Sequence, residues 1–292
     1  MRNTFIETLI KKAEIDLSII LIVGDLGYNV IEPFQSKFPD RFINAGVCEQ
    51  NMASMAAGLA SEGYKVFIYS IANFPTFRCA EQIRNDICYH NLDVTIVTVG
   101  GGLAYGNLGY SHHAIQDYGL IRLFPEITIL SPGDPNEVKF CMDFIFNDKS
   151  PKYLRLRKSG EINYNLNKEL EPPGFWNNII KPKSKKIFLS TGYGLKLAND
   201  LIENSDVYKD FGVYTCPIWG AKYSHLQKDH AKRFEEIITI EDHLLAGGFG
   251  SWILETVKEK ETKGKISNGF IDSSIIGRVG NESYLLEYFD IK

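Results

Sequence analysis

The sequence predicts an α/β protein of two domains, each a mainly parallel sheet with helices on both faces. Three observations predict it. Leu17–Val23 is a continuous apolar run, and a run apolar on both faces belongs to a buried parallel strand. Runs of strand length then alternate with helical patterns along the chain, the grammar of a sheet covered on both sides. The composition changes over Lys158–Lys185, where Pro172-Pro173, Pro182 and several Lys and Asn replace any sustained period. Such a stretch reads as an ordered linker. The domains are expected at 1–160 and 185–292, joined by 161–184.

The elements follow in order. Thr4–Ile15 has helical apolar spacing through Phe5, Ile6, Leu9, Ile10 and Ala13. Strands are expected at Leu17–Val23, Arg41–Asn44, Lys65–Ser70, Val94–Val99, Ile127–Leu130 and Tyr153–Leu156. Helices are expected between them at Phe34–Phe38, Glu49–Glu62, Thr76–Tyr89 and Ala114–Leu123. Ser131-Pro-Gly-Asp-Pro-Asn-Glu137 is a strong helix start. Asp134 can cap, Pro135 suits the first helical position, and Glu137 completes a capping box for a helix running to Phe146. Past the linker, strands are expected at Lys186–Ser190, Phe211–Thr215, Ile237–Ile240 and Ile266–Ile271. Helices are expected at Leu195–Glu203, at Gly250–Lys258 and near Tyr284–Tyr288, and a further helix ends over Ala231–Glu235.

Composition narrows the function. Of 292 residues, 44% are hydrophobic and 23% charged, the profile of a globular protein with ample core. The net charge of −4 and the dispersed basic residues offer nothing to nucleic acid or an anionic membrane. No apolar run reaches bilayer-spanning length. The five cysteines are scattered without CxxC spacing, and the start lacks an export leader. Both features point to reduced thiols in the cytoplasm. Six dispersed histidines form no metal motif, so no protein-ligated metal is expected.

Chemistry is expected beyond the carboxyl ends of the strands, where parallel sheets place their sites. The loops Gly24–Asn29, Asn44–Gln50, Ser70–Phe77 and Gly100–His113 converge there. They hold Asp25, Asn29, Glu49, Phe74, Phe77, Tyr105, His112 and His113. Glu49 sits where a strand passes into a small-residue helix, with apolar Val47, Cys48, Met52 and Met55 around it. A lone carboxyl in such surroundings resists ionisation and suits proton exchange with a weakly basic ring nitrogen. It equally suits a plain interaction with the helix dipole. Phe74 and Phe77 can face the same way and sandwich a flat heteroaromatic ring, or be ordinary core. Gly100–Gly109 lets backbone approach a ligand but matches neither the P-loop nor the dinucleotide fingerprint. His112 or His113 can move protons near neutral pH, and one of the adjacent pair is expected to be structural.

These residues suggest a family. Gly46-Val-Cys-Glu-Gln-Asn-Met52, Ala57-Gly-Leu-Ala60 and Gly63 resemble the pyrimidine-binding domain of transketolase-type thiamine diphosphate enzymes. So do Phe74-Pro-Thr-Phe-Arg-Cys-Ala-Glu-Gln-Ile-Arg84, Gly109-Tyr-Ser-His-His-Ala-Ile-Gln-Asp117, Phe124-Pro and Ser131-Pro-Gly-Asp-Pro. Glu241-Asp-His and Gly247-Gly-Phe-Gly-Ser251 resemble the family's C-terminal domain. The resemblance implies that Glu49 hydrogen-bonds the cofactor's aminopyrimidine and that Phe74 and Phe77 hold that ring. It implies that His112 lies over the reacting carbon and Asp25 near the cofactor. Asn29 and Leu108 would border the substrate. Arg2 would grip a sugar phosphate, and Arg157 or Lys158 would supply a second phosphate anchor.

Two departures qualify it. Where the family often has Asp-Gly-Pro-Thr-His, this chain has Leu108-Gly-Tyr-Ser-His112, and an expected histidine falls at Gly100. A less polar or deoxygenated sugar is therefore conceivable. The Gly-Asp-Gly metal and diphosphate motif is absent, Gly-Asp occurring only at Gly24-Asp and Gly133-Asp. The resemblance thus implies the C-terminal subunit of a split transketolase in an α2β2 assembly. A separate N-terminal subunit would hold Mg2+ or Ca2+ and the cofactor diphosphate. The alternatives are a beta-type subunit of a 2-oxo acid decarboxylating enzyme, or a paralogue that has kept only the fold.

Overall fold

The computed structural model describes residues 1–158, 162–164, 169–257 and 264–292. Its strands are β1 (Ile19–Val23), β2 (Phe42–Asn44), β3 (Lys65–Ile71), β4 (Val94–Val99), β5 (Thr128–Leu130) and β6 (Lys152–Leu156). There follow β7 (Asn177–Ile180), β8 (Lys186–Ser190), β9 (Gly212–Thr215), β10 (Ile218–Trp219), β11 (Glu236–Ile240), β12 (Lys265–Ile271) and β13 (Phe289–Ile291). The first sheet has the order β10-β5-β6-β4-β3-β1-β2 and the second β13-β12-β11-β8-β9-β7. β1 to β6 are mutually parallel, so their carboxyl ends share one rim. The expected two-sheet α/β architecture is present.

Alternation along the strands divides the first core. Val66 and Ile68 of β3 join one apolar cluster with Met52, Ala53, Ala56 and Ala60 of helix Glu49–Ser61. Phe67 and Tyr69 point to the other face, against Phe5 and Leu9 of helix Arg2–Ala13. Successive side chains of a strand must face opposite ways, so β3 needs a helix on each side. The capping box forms as expected: Asp134 Oδ1 accepts from the Glu137 amide at 2.8 Å, and Glu137 Oε2 accepts from the Gly133 amide at 2.7 Å.

Several expectations change. The segment read as a linker contains β7, bonded antiparallel to β9. β7 lies at the sheet edge, and pairing on one side only does not demand an apolar pattern. β10 follows β9 in the chain yet pairs with β5 of the first sheet, Ile218 against Leu130 and Trp219 against Ile129. The second half thus completes the first sheet. The helix expected over Thr76–Tyr89 is broken into Asn73–Phe77, Ala80–Gln82 and a widened turn at Ile83–Cys88, because Cys79 leaves helical geometry. Ala114 pairs with Gly102 rather than joining a helix, which shrinks to Asp117–Ile121. The helix before β11 spans Ser224–Ala231, and β13 follows the terminal helical turns. The boundary at 160/161 and the helix end at Lys258 lie outside the described residues. Among the described residues, no helix is long and apolar enough to cross a membrane.

Candidate active site

Glu49 opens its helix at the carboxyl rim, only 4% exposed. Its Cγ and the Ser70 Oγ lie over Gly24 at the end of β1. A cleft of about 510 Å³ opens beside it, lined by Val47, Cys48, Gln50, Asn51 and Arg78. The carboxyl is not the lone one that its apolar neighbours in sequence suggest. Arg78 Nη1 donates to Glu49 Oε1 at 2.8 Å. The break after Phe77 supplies this partner by putting Arg78 at the helix end. The Arg78 side chain is half exposed, and its guanidinium lies 4.2 Å from the Phe74 ring centre.

Phe74 links this cleft to the histidine loop. The Phe74 and His112 rings meet edge to face at 5.2 Å, and Tyr105 approaches His112 at 6.3 Å. Phe77 stands farther out, 45% exposed, so the two phenylalanines do not share one environment. His112 is half-buried, and its Nδ1 lies 2.9 Å from the Ser111 hydroxyl. Burial, with His113 and the Arg78 guanidinium acting in the same direction, lowers the His112 pKa from its ordinary value. The ring is therefore a neutral proton acceptor at pH 7. His113 is the structural member of the pair: it is buried, with Nε2 3.1 Å from the Gly106 carbonyl.

Asp25 and Asn29 hold exposed positions on the β1 loop, both with positive φ. Asn44 clasps Asp25, donating from Nδ2 to Oδ1 at 2.9 Å and accepting from the Asp25 amide at 3.2 Å. The Asn29 amide donates to Glu32 Oε1 at 2.8 Å. Leu108 is 55% exposed at the tip of the histidine loop.

A cationic group lies beyond Tyr105. Lys158 Nζ sits 4.3 Å from the Tyr105 ring centre. Lys158 is exposed, and partial desolvation lowers its pKa, with Arg157 and Arg2 adding to the effect against the opposing pull of Glu282. Arg157 pairs with Glu282 and stacks on Tyr193, and it lines a second cleft of about 420 Å³ together with Lys158, Lys196 and Tyr164. Its Nη1 is buried without a partner. Arg2 meets the buried Tyr69 hydroxyl, where its charge opposes the rise in pKa that burial imposes on the tyrosine. Lys158, Tyr105, His112, Phe74, Arg78 and Glu49 thus form one unbroken line of contacts.

Sequence reasoning missed Arg78 as a partner of Glu49. It also missed Asn73, whose Nδ2 donates to the carbonyls of Ser111 at 3.1 Å and His113 at 3.0 Å. An arginine one turn after Phe74 was the available signal for the first. Nothing local signals the second, because its partners lie about forty residues away. Among the described residues, no cluster of His, Cys, Asp and Glu could hold a metal ion.

A buried acid at a strand-to-helix passage, an aromatic ring and a half-buried histidine thus stand on one parallel-sheet rim of an α/β protein. Residues 1–160 match the transketolase pyrimidine-binding domain. The chain is 30% identical over 294 residues to a transketolase C-terminal section of Methanocaldococcus jannaschii, covering all of this chain and 92% of that one. It is 28% identical over 263 residues to an apulose-4-phosphate transketolase subunit of Actinobacillus succinogenes, covering 89% of this chain and 84% of that one. A split-gene transketolase, solved as an inactive beta4 tetramer, superposes with a TM-score of 0.81 at 25% identity, over 98% of this chain and 91% of that one. The chain belongs to the transketolase family, and membership implies dependence on thiamine diphosphate.

Proposed function

We propose that this chain is the C-terminal subunit of a split, thiamine diphosphate-dependent transketolase. It transfers a two-carbon ketol unit from a ketose phosphate donor to an aldose acceptor. It works with a separate N-terminal subunit, in an α2β2 assembly, that holds Mg2+ or Ca2+ and the cofactor diphosphate. Residues 1–160 form the pyrimidine-binding domain and 185–292 the transketolase C-terminal domain. The split organisation is supported by relatives named as a C-terminal section or as one subunit of a transketolase, which this chain spans nearly end to end. The same relatives favour it over a 2-oxo acid decarboxylating subunit. Relatives named for apulose 4-phosphate make a phosphorylated ketose the donor to test first. All five cysteines are free thiols, which suits the cytoplasm.

The observation that carries the proposal is the gathering of Glu49, Phe74 and His112 around one rim. The residues fit an aminopyrimidine: a buried carboxyl borders the cleft, an aromatic ring stands beside it, and the Ser70 Oγ is buried without a partner. When bound, thiamine diphosphate supplies the carbon nucleophile and the electron sink. Glu49 holds or moves the proton at a ring nitrogen, and half-exposed Arg78 can release the carboxyl to it. Phe74 and Phe77 hold the ring, and Asp25 stands near the cofactor. His112, neutral at pH 7, accepts a proton from a substrate hydroxyl. Asn29 and Leu108 border the substrate. Lys158, against the Tyr105 ring, anchors the phosphate together with Arg2, whereas Arg157 is engaged by Glu282.

The test is reconstitution with a candidate N-terminal subunit carrying Gly-Asp-Gly, with thiamine diphosphate and Mg2+. Ketol transfer should appear only in the mixture. Turnover by this chain alone, or carbon dioxide release from pyruvate without ketose cleavage, overturns the proposal.

A further inference from the structure

We propose that Arg155 and Asp242, which meet across the two halves of the chain, are positioning residues for His112 and clamp the neck of the loop that bears it. The inference rests on the site proposed for Glu49, Phe74 and His112. It gives the second half of the chain a part in the reaction without contact with substrate.

The neck is the pair Gly102 and Ala114, whose backbones exchange hydrogen bonds at 3.0 and 2.9 Å. The loop they close carries Tyr105, Leu108 and His112. Arg155 of β6 lies beneath it, 3% exposed. Its Nη2 donates to the Ala114 carbonyl at 2.6 Å, its Nε to Asp117 Oδ2 at 2.8 Å, and its Nη1 to Asp242 Oδ1 at 2.6 Å. One planar fork thus ties the neck, the helix after it and the second half together, as a guanidinium can and an ammonium cannot. Asp242 also presses on the neck. A side-chain carbon at Gly102, whose φ is +64°, would lie 1.9 Å from Asp242 Oδ2. The neighbouring Leu244 amide donates to the Ile115 carbonyl at 3.0 Å.

The knot is poorly built for stability alone. Asp117 Oδ1, Asp242 Oδ2 and His243 Nε2 are buried without a hydrogen bond, Asp117 Oδ1 and His243 Nε2 standing 3.9 Å apart. Buried polar atoms left unpaired oppose folding, and an apolar junction would serve stability better. What the charged knot provides is direction, since it fixes the neck from three sides. Misplacement of a catalytic group by about 1 Å can cost about 10²-fold in rate.

The experiment uses the complete complex with its N-terminal subunit, thiamine diphosphate and Mg2+. It also follows the NMR resonance of the His112 Cε1–H, assigned by its loss in His112→Gln. Asp242→Ala should lower kcat by about 10- to 100-fold, leave KM nearly unchanged and shift the His112 resonance. Asp242→Asn keeps an oxygen for Arg155 and should restore most of both. Phe188→Leu, a core change in the second half, serves as the control for lost stability and should move neither. If Asp242→Ala does not fold, Arg155→Lys is measured in the same way. An unchanged kcat, or a resonance moved no more than by Phe188→Leu, overturns the clamp. Full turnover in His112→Gln together with a shifted resonance in Asp242→Ala overturns the site assignment and leaves the clamp standing.

Discussion

The two ends of the first sheet treat buried charge differently, and β6 shows both. At its amino end Lys152 is fully buried, with Nζ 2.8 Å from Asp93 Oδ1. Lys65 shares the same carboxylate at 2.5 Å and also donates to the Ile145 carbonyl at 3.0 Å. Burial pushes Lys152 down to about 8, against the pull of Asp93. These charges are closed among themselves. At the carboxyl end, Arg157 Nη1, Ser70 Oγ and Asn73 Oδ1 are buried without a hydrogen bond. Both ends bury ions, so burial alone does not mark a site. Hydroxyls without a hydrogen bond occur at both ends, Thr95 and Thr128 flanking Lys152 and Ser70 at the rim, so the distinction lies in the charges, which Asp93 pairs off at the amino end.

The comparison can be broken by mutation. The largest effect is expected from Glu49→Ala, which should reduce kcat of the reconstituted complex by about 10²- to 10⁴-fold. Light scattering should show the assembly intact, and surviving turnover would reassign the acid. Lys152→Met at the opposite end should cost about 3 kcal/mol of unfolding free energy in urea, because it leaves carboxylates buried with fewer partners. The kcat of its folded fraction should not change. Lys158→Ala should raise KM for a phosphorylated donor about 10-fold, the worth of one charge-assisted bond, with kcat nearly constant. The same change at Arg157 should matter less.

The smallest effect concerns pH. The His112 pKa is lowered in the folded chain, so its ring stays neutral below the usual histidine range. Activity should therefore persist on lowering pH past 6.5 and fall only at more acid pH. Arg78→Gln removes one of the positive charges that lower this pKa, so the acid limb of kcat should move slightly upward. A limb that does not move would show that Arg78 does not act on His112.

Legibility differed between fold and site. β1, β4 and the Asp134 cap could be read locally because their signals are local: unbroken apolar runs and a capping box. Glu49 and His112 could be placed because every parallel strand ends at the same rim. Arg78 beside Glu49 could not, since a break in the expected helix decided it. Nor could β7, whose edge position frees it from the apolar alternation that announces a strand.

The amino-acid sequence by itself determined the alternation of strands and helices in the first sheet. It also determined the rim on which acid, rings and histidine fall, because hydrophobic period and strand polarity are properties of neighbouring residues. Only the tertiary structure decided that β10 returns to that sheet, that Asp242 reaches Arg155, and that His113 is buried against the Gly106 carbonyl. Those outcomes depend on which distant groups satisfy a buried charge, and no local pattern contains the answer.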